Sequence, residues 1–268
     1  MIERILLISC ISLVLAGCVA NKSLIHDTRS KPNIIYILVD DMGYGDLGCY
    51  GQKEIKTPAI DKMAADGMRF TRHYSGSPVC APSRCVLLTG LHTGNAKIRG
   101  NQPTVELGER DTTIATILKG AGYKTGIIGK WGMGDEGTTE TPGKQGFDYF
   151  FGYLNQVRAH NYYPDYLYRN DVRVPLANQV ITSTEGYSKG VGSASTNKKI
   201  YSHDLFANEA LDFVEKNSKS PFFLYLGFTI PHANNEYALV NAEHGMEVPS
   251  YGMYASKNWP EVQKGLQP

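Results

Sequence analysis

In the stretch PNIIYILVDD, residues 32–41, an apolar run from Ile34 to Val39 stops at two aspartates. A short, uninterrupted run of this kind is typical of a strand that is buried on both faces of a parallel sheet. The end of the run places Asp40 and Asp41 at the carboxyl edge of that sheet, where open α/β folds bind their ligands. The sequence thus predicts a buried strand that delivers two carboxylates to a site.

Two further apolar runs also end on polar residues. The segments YKTGIIGKWG (123–132) and PFFLYLGFTIPH (221–232) are predicted strands that end near Lys130 and His232. Helical patterns lie between the strands. This alternation predicts an α/β fold with a mixed, mostly parallel sheet flanked by helices on both faces.

The helices are predicted from their caps and their apolar periodicity. Thr57 and Gly67 bracket one helix. The predicted apolar faces are Ile60, Met63 and Ala64 in that helix, Ile114, Ile117, Leu118 and Ala121 in the next, and Ala207, Ala210, Leu211 and Val214 in SHDLFANEALDFVEK (202–216). MRFTRHY (68–74) is predicted as a short strand, and residues 178–199 as a polar surface insertion.

The stretch VCAPSRCVLLTG (79–90) places Cys80 ahead of a helix predicted from about Pro82 to Thr89. The unpaired N–H groups at the start of that helix favour an anion, and Arg84 adds a cation suited to tetrahedral oxyanions. Taken singly, a strand-end aspartate, lysine, histidine or thiol has an ordinary structural explanation. Their convergence at one sheet edge favours sulfuryl or phosphoryl transfer, with a nucleophile opposite a paired-carboxylate metal site.

The charge balance and the N-terminus indicate the partners and the compartment. The 27 Lys and Arg residues nearly cancel the 26 Asp and Glu residues, which argues against a nucleic-acid partner. Residues 1–17 are predicted to be a signal peptide, and LAGC, ending at Cys18, resembles a bacterial lipobox whose cysteine is lipidated. An ordinary signal peptide that contains a cysteine is the alternative. With residues 18–31 as a linker, we expect an exported bacterial protein of the periplasm or outer membrane, attached to the membrane only through this lipid.

The remaining cysteines are Cys49, Cys80 and Cys85. An odd number in an exported protein suggests a reactive or modified thiol. The sequence neither supports nor excludes a disulfide between Cys49 and Cys85.

The motif CAPSR, followed by LLTG, resembles the C-x-P-S-R…L-T-G signature of type I sulfatases, the arylsulfatase family of the alkaline-phosphatase-like superfamily. The block NIIYILVDDMGYGDLGCYG resembles the first strand of that family with its two aspartates, and GYKTGIIGKWGMG resembles its G-K-W block. The blocks QGFDYFFGY and PFFLYLGFTIPH are similar to later blocks of the family. Residues 32–268 are thus identified as the N-terminal part of a sulfatase catalytic domain, with the C-terminal part missing.

The resemblance implies a formylglycine cofactor made from Cys80 by a formylglycine-generating enzyme. A hydroxyl of the hydrated aldehyde would attack sulfur, and loss of a proton from the second hydroxyl would later expel sulfate. The implied site comprises the Ca²⁺ ligands Asp40, Asp41 and Cys80, the aldehyde-binding Arg84, and Lys130 and His232 on the ester, with His232 assisting the leaving group.

Two departures from the family matter. Many sulfatases carry histidine where this chain has Gly132, and the block AHNYYP (159–164) is similar to a subset with that glycine, many of them in bacteria that degrade sulfated polysaccharides. We expect His160 to bind substrate in place of that imidazole. The family's remaining metal ligands come from a later strand, whereas this chain has no aspartate after Asp212. We therefore expect the 268 residues alone to bind Ca²⁺ weakly and to hydrolyse sulfate esters poorly.

The expected substrate is a sulfated carbohydrate or an aryl sulfate ester. Two alternatives stay open: a phosphodiesterase or phosphonate hydrolase of the same superfamily, and a truncated surface lipoprotein without catalytic activity.

Overall fold

The computed structural model describes residues 31–102, 106–108 and 111–266. Among the described residues, those from Asn33 onward form one compact unit. The predicted signal peptide, Cys18 and the linker up to residue 30 lie outside the described residues. Within the described part of the chain, no helix is long and apolar enough to cross a membrane.

A six-stranded mixed sheet forms the centre of the Asn33–Pro268 unit. Its strands are β1 (Ile34–Asp40), β2 (Lys124–Lys130), β3 (Tyr149–Tyr153), β4 (Tyr166–Arg169), β5 (Val172–Pro175) and β8 (Phe222–Pro231). Two further strands, β6 (Gln179–Thr182) and β7 (Ser193–Asn197), form a separate two-stranded sheet. The six-stranded sheet has the order β1-β8-β2-β3-β4-β5. The strands β1, β8, β2 and β3 pair in parallel, whereas the β3–β4 and β4–β5 pairs are antiparallel. The predicted α/β fold with a mixed, mostly parallel sheet is confirmed.

Helices lie on both sides of this sheet. They are α1 (Pro58–Asp66), α2 (Cys80–Thr89), α3 (Ile114–Gly120), α4 (Ser202–Asn217) and α5 (Glu261–Lys264). Alternate residues of β8 point to opposite faces, so the central strand contributes to two cores. The first core includes Phe223, Tyr225, Cys85, Leu88 and Ala115, and the second includes Leu224, Leu226, Phe206 and Phe213.

The predicted helix faces are partly wrong. In α4, Leu211 is 70% exposed, and the face toward the sheet is instead formed by Phe206, Ala210 and Phe213. The two phenylalanine rings bury more apolar area than alanine and leucine would, so they determine the rotation of the helix.

The short helix α3 is also rotated relative to the prediction. Ile114 and Ile117 are exposed, whereas Ala115 is fully buried. The buried N-cap Thr113 sets this rotation, because its Oγ1 accepts from the backbone N–H of Thr116 at 3.2 Å and donates to the carbonyl of Gln145 at 2.7 Å.

Two loop predictions are corrected as well. Residues 68–74 adopt irregular, exposed structure instead of a strand. Residues 178–199 contain the β6–β7 hairpin instead of a loose insertion, and Ser193 and Ala194 of β7 are fully buried. Buried asparagines fix this hairpin, since Asn161 donates to the Ser193 hydroxyl at 3.0 Å and Asn234 to the Ser193 carbonyl at 3.2 Å.

Coverage of the sheet is incomplete at β1. Among the described residues this strand pairs with β8 along one edge, and its other edge is open. Ile35 and Ile37 are 48% and 45% exposed, while Tyr36 and Leu38 pack against the first core. Helices flank the sheet as predicted, but Ile35 and Ile37 of this edge strand stay largely exposed.

Candidate active site

The carboxyl ends of three parallel strands meet the start of α2 at one edge of the sheet. Asp40, the last residue of β1, is paired with Pro231 of β8, directly before His232. Lys130 ends β2, on the other side of β8. The helix α2 begins with Cys80, two residues earlier than predicted. The structure thus brings the predicted polar residues to one sheet edge.

Asp40 lies at the centre of a buried charge cluster. Its Oδ2 accepts hydrogen bonds from Lys130 Nζ at 2.9 Å and from Arg84 Nη2 at 3.2 Å. Burial alone would raise the pKa of the Asp40 carboxyl, but the charges of Lys130 and Arg84 hold that pKa well below its ordinary value. Asp40 is therefore ionised, and it fixes both cations in place.

Arg84 is almost fully buried and donates in several directions. Its Nη1 donates to the backbone carbonyl of Lys130 at 2.9 Å and contacts the hydroxyl of Tyr225 at 3.4 Å. Its buried Nε has no hydrogen-bond partner among the described residues. A buried cationic donor of this kind is stabilised by an anion, and a tetrahedral oxyanion matches its geometry.

Asp41 presents its carboxylate to solvent beside Asp40. It adopts a left-handed backbone conformation with φ of 61°, immediately after an irregularity in the β1–β8 ladder. Aspartate tolerates this conformation better than most residues, and such strain is concentrated at functional sites. The Asp41 Oδ2 lies 3.7 Å from Nε2 of His232. The turn therefore separates a buried carboxylate from an exposed one at the same edge.

Cys80 is held at the first position of α2 by a side chain that the sequence analysis did not identify. Asn101 Nδ2 donates to Cys80 Sγ at 3.2 Å, and its Oδ1 accepts from the backbone N–H of Ala81 at 3.1 Å. Gln156 Oε1 lies 4.0 Å from the same sulfur. Cys49, Cys80 and Cys85 are free thiols in the described structure, so the open Cys49–Cys85 pairing does not form there.

Two histidines lie against each other near this edge. The rings of His160 and His232 are stacked, with centroids 4.6 Å apart and an interplanar angle of 15°. Nδ1 of His232 donates to the carbonyl of Ala233 at 2.7 Å. Burial lowers the pKa of His160, an effect that its contact with Glu236 opposes. The structure thus brings His160 to His232, and the replacement of a missing imidazole by His160 stays a prediction.

Sequence reasoning missed four polar residues around the site. They are Asn101, Gln156, Tyr187 and Glu236. All four lie in loops, where neither apolar periodicity nor residue spacing indicates a contact with a distant catalytic residue. Their partners lie up to 76 residues away along the chain, so no local signal could have identified them.

The sequence predicts a Ca²⁺ site at two carboxylates. Asp40 and Asp41 offer the oxygen ligands that Ca²⁺ prefers, but a complete shell needs about 6–8 oxygens. Within the described residues, no group of three or more His, Cys, Asp or Glu side chains could hold a metal ion. Two carboxylates fall short of such a shell, so the Ca²⁺ site stays a prediction.

Comparison with known proteins identifies the family. The sulfatase family model matches residues 32–265. The chain belongs to the sulfatase family. Human N-acetylgalactosamine-6-sulfatase is 34% identical over 214 residues, covering 75% of this chain and 40% of the relative. This sulfatase-family chain spans less than half the length of the curated relatives that it matches.

Solved structures share the fold of this chain. The crystal structure of Ps i-CgsB superimposes with a TM-score of 0.66 at 30% identity, covering 88% of this chain and 51% of that one. Ps i-CgsB in complex with k-i-k-neocarrahexaose gives a TM-score of 0.59 at 33% identity, covering 76% of this chain and 46% of that one.

Gly132 occupies a position inside the site. It has a φ of +74°, and an added Cβ would lie 3.4 Å from Cβ of Gln156 and 3.7 Å from side-chain carbons of Arg84 and Lys130. A side chain at this position would extend between those groups. Glycine therefore leaves space between these groups in this sulfatase-family chain. The resemblance described above implies that many sulfatases carry histidine at this position.

Proposed function

We propose that this protein hydrolyses sulfate esters, with residue 80 as the nucleophile. The observation that carries the proposal is the buried set of Asp40, Arg84 and Lys130, two cations and one anion with a net charge of +1. The set lies beside the start of α2, whose N-terminus also favours an anion. A sulfate ester would supply the missing negative charge and accept from the unpartnered Nε of Arg84.

We also propose that Cys80 is converted to formylglycine by a formylglycine-generating enzyme. In that form residue 80 would supply an oxygen nucleophile, and Asp40, Asp41 and residue 80 would hold a Ca²⁺ ion that would supply positive charge near the ester. The remaining ligands would come from outside the described residues. This proposal is supported by the CAPSR motif and by the carboxylate chemistry of the two aspartates.

The chain's own residues take the other roles. Lys130 and Arg84 would bind the sulfate oxygens, since Asp40 fixes both cations at the edge of the sheet. Nδ1 of His232 is committed to a backbone carbonyl, so Nε2 is the nitrogen that can take up a proton from solvent and give it to the departing alcohol. His160, stacked on that ring, would contact the substrate.

A sulfated carbohydrate is the proposed substrate, and an exported, lipid-anchored enzyme would meet such a polymer outside the cell. Support comes from the relative named N-acetylgalactosamine-6-sulfatase and from the neocarrahexaose bound to Ps i-CgsB. The anchor is proposed at Cys18. Replacement of Cys18 by serine should move the protein from the membrane fraction to the soluble periplasm, and retention in the membrane would contradict the anchor.

The enzymatic proposal is tested on the full-length protein produced with a formylglycine-generating enzyme. Sulfate release from an aryl sulfate and from sulfated oligosaccharides is measured beside the Cys80→Ala variant. We expect release by the converted protein and a loss of about 10³-fold or more in the variant, because the nucleophile is absent. Faster cleavage of phosphate or phosphonate esters would overturn the proposal in favour of the rival hydrolase. Confirmed conversion of Cys80 without turnover of either ester would favour the non-catalytic lipoprotein.

A further inference from the structure

Glu236 is a buried carboxylate with no role in the proposed reaction so far. Its Oε2 lies 3.2 Å from Nδ1 of His160, which is also buried. An ionised carboxylate in such a place is costly unless a donor faces it, and the imidazole N–H is that donor. The position of Glu236 is therefore linked to the state of His160.

Two further contacts restrict the position of Glu236. Its backbone N–H donates to Oδ1 of the fully buried Asn234 at 3.0 Å. Its Cγ and Cδ lie against Gly192, before β7, where an added Cβ would come within 2.9 and 2.8 Å of them. Glycine at that position allows the close approach. The carboxylate is therefore confined to the orientation in which it meets His160.

The carboxylate determines which nitrogen of His160 carries the proton. An anionic oxygen at Nδ1 requires Nδ1–H, which leaves the lone pair on Nε2. His232 has the same arrangement, since its Nδ1 donates to the Ala233 carbonyl. The two stacked rings thus share one tautomer, selected by a carboxylate in one ring and a carbonyl in the other.

We propose that Glu236 is a positioning residue that sets the tautomer and orientation of the stacked His160–His232 pair. The inference rests on the proposed function, because the pair acts on the leaving group of the ester. The charged and titratable groups that face His160 are Glu236, Lys130 and His232. With Nδ1 committed in both rings, Nε2 is the nitrogen that takes up a proton from solvent and then gives it to the departing alcohol, on the side away from these fixed acceptors.

The test compares Glu236→Gln with Glu215→Gln, the same chemical change at an exposed position of α4. Full-length protein labelled with ¹⁵N-histidine is studied by long-range ¹H–¹⁵N correlation spectra, with His160→Gln to assign the signal. We expect the Nδ1–H tautomer of His160 in the wild type and in Glu215→Gln, and a mixture in Glu236→Gln, because an amide both donates and accepts.

A second readout is the dependence on the leaving group. In Glu236→Gln, kcat for a sugar sulfate should fall about 10–100-fold with little change in KM, the usual range for a residue that orients another. Turnover of a nitrophenyl sulfate should fall much less, because a stable phenolate leaves without a proton. Glu236→Asp keeps the charge and should show intermediate losses, so it provides the same test if Glu236→Gln does not fold.

An unchanged His160 tautomer, together with equal losses on both esters, would overturn the role of Glu236. Failure of the proposed function would look different, since the wild-type protein itself would then release no sulfate from either ester.

Discussion

Lys130 Nζ donates to Asp40 Oδ2 at 2.9 Å, although the strands of the two residues are separated in the sheet by β8. Arg84 reaches the same oxygen from α2 at 3.2 Å. One buried carboxylate therefore joins two strand ends and a helix. Since such clusters are costly when left unbalanced, this contact governs both the stability and the chemistry of the site.

Asp40→Asn should destabilise the protein strongly, because it leaves Arg84 and Lys130 buried without a counter-charge. We expect the free energy of unfolding to fall by about 3–5 kcal/mol, as for a buried pair that loses one partner. The measurement is urea denaturation in the presence of a chelator. The control is Asp66→Asn, which removes the exposed ion pair with Lys62 and should change the free energy by less than about 1 kcal/mol. Similar effects of the two substitutions would contradict the prediction.

His203 should make the protein sensitive to mild acid. Burial lowers the pKa of His203 to about 3, and its Nε2 accepts from the backbone N–H of Thr229 at 3.2 Å. The unfolded chain binds a proton near pH 6.5, which the folded chain does not bind until about pH 3. Stability is therefore lost as the pH falls through this window.

Between pH 7 and 4.5, His203 should cost about 2–3 kcal/mol of unfolding free energy, at about 1.4 kcal/mol per pH unit. His203→Gln should remove that pH dependence, whatever its effect on stability at pH 7. The exposed His73→Gln serves as the control. Parallel pH curves for the wild type and His203→Gln would show that His203 does not titrate in this way.

Asp41→Asn should weaken Ca²⁺ binding while it preserves the backbone turn. Asparagine tolerates the left-handed conformation of this position, so the substitution removes charge without a new strain. We expect the Kd for Ca²⁺ to rise about 10-fold or more, measured by calorimetry on the full-length protein. Asp212→Asn on the surface of α4 should leave the Kd unchanged. An unaltered Kd in Asp41→Asn would exclude Asp41 as a ligand.

Asn101→Ala should reduce turnover without preventing the modification of Cys80. The amide contacts both Sγ of Cys80 and the backbone N–H of Ala81, so its loss frees the nucleophile to rotate. We expect kcat to fall about 10–100-fold, the range for residues that orient a reactive group. Mass spectrometry of the peptide that contains residue 80 checks its conversion. Full activity in a fully converted variant would rule out this role.

His160→Ala should lower turnover of sulfate esters in an active preparation, because His160 is expected to replace the imidazole that is absent at Gly132. A loss of about 10²-fold is expected if the residue takes part in proton transfer. The matched control is the exposed His92→Ala. Unchanged turnover would remove His160 from the substrate site.

The three central strands β1, β2 and β8 and their polar ends could be predicted from sequence, because apolar runs are local and parallel strands bring their carboxyl ends together. The faces of α3 and α4 could not, since Thr113, Phe206 and Phe213 set the rotation through contacts with distant segments. Asn101 and Glu236 were missed for the same reason. Each lies in a loop, and its importance depends on a residue far along the chain.

The strand order has a consequence for the biosynthesis of the protein. β1 is made first, yet its partner β8 is completed only at Pro231. A nascent chain that has not yet reached β8 therefore contains an apolar strand without its pairing partner. Formation of the sheet depends on contacts between residues far apart in the sequence, and such contacts slow folding. A polypeptide that stays unfolded until late in synthesis can still pass through a translocation channel, as export by the predicted signal peptide would require.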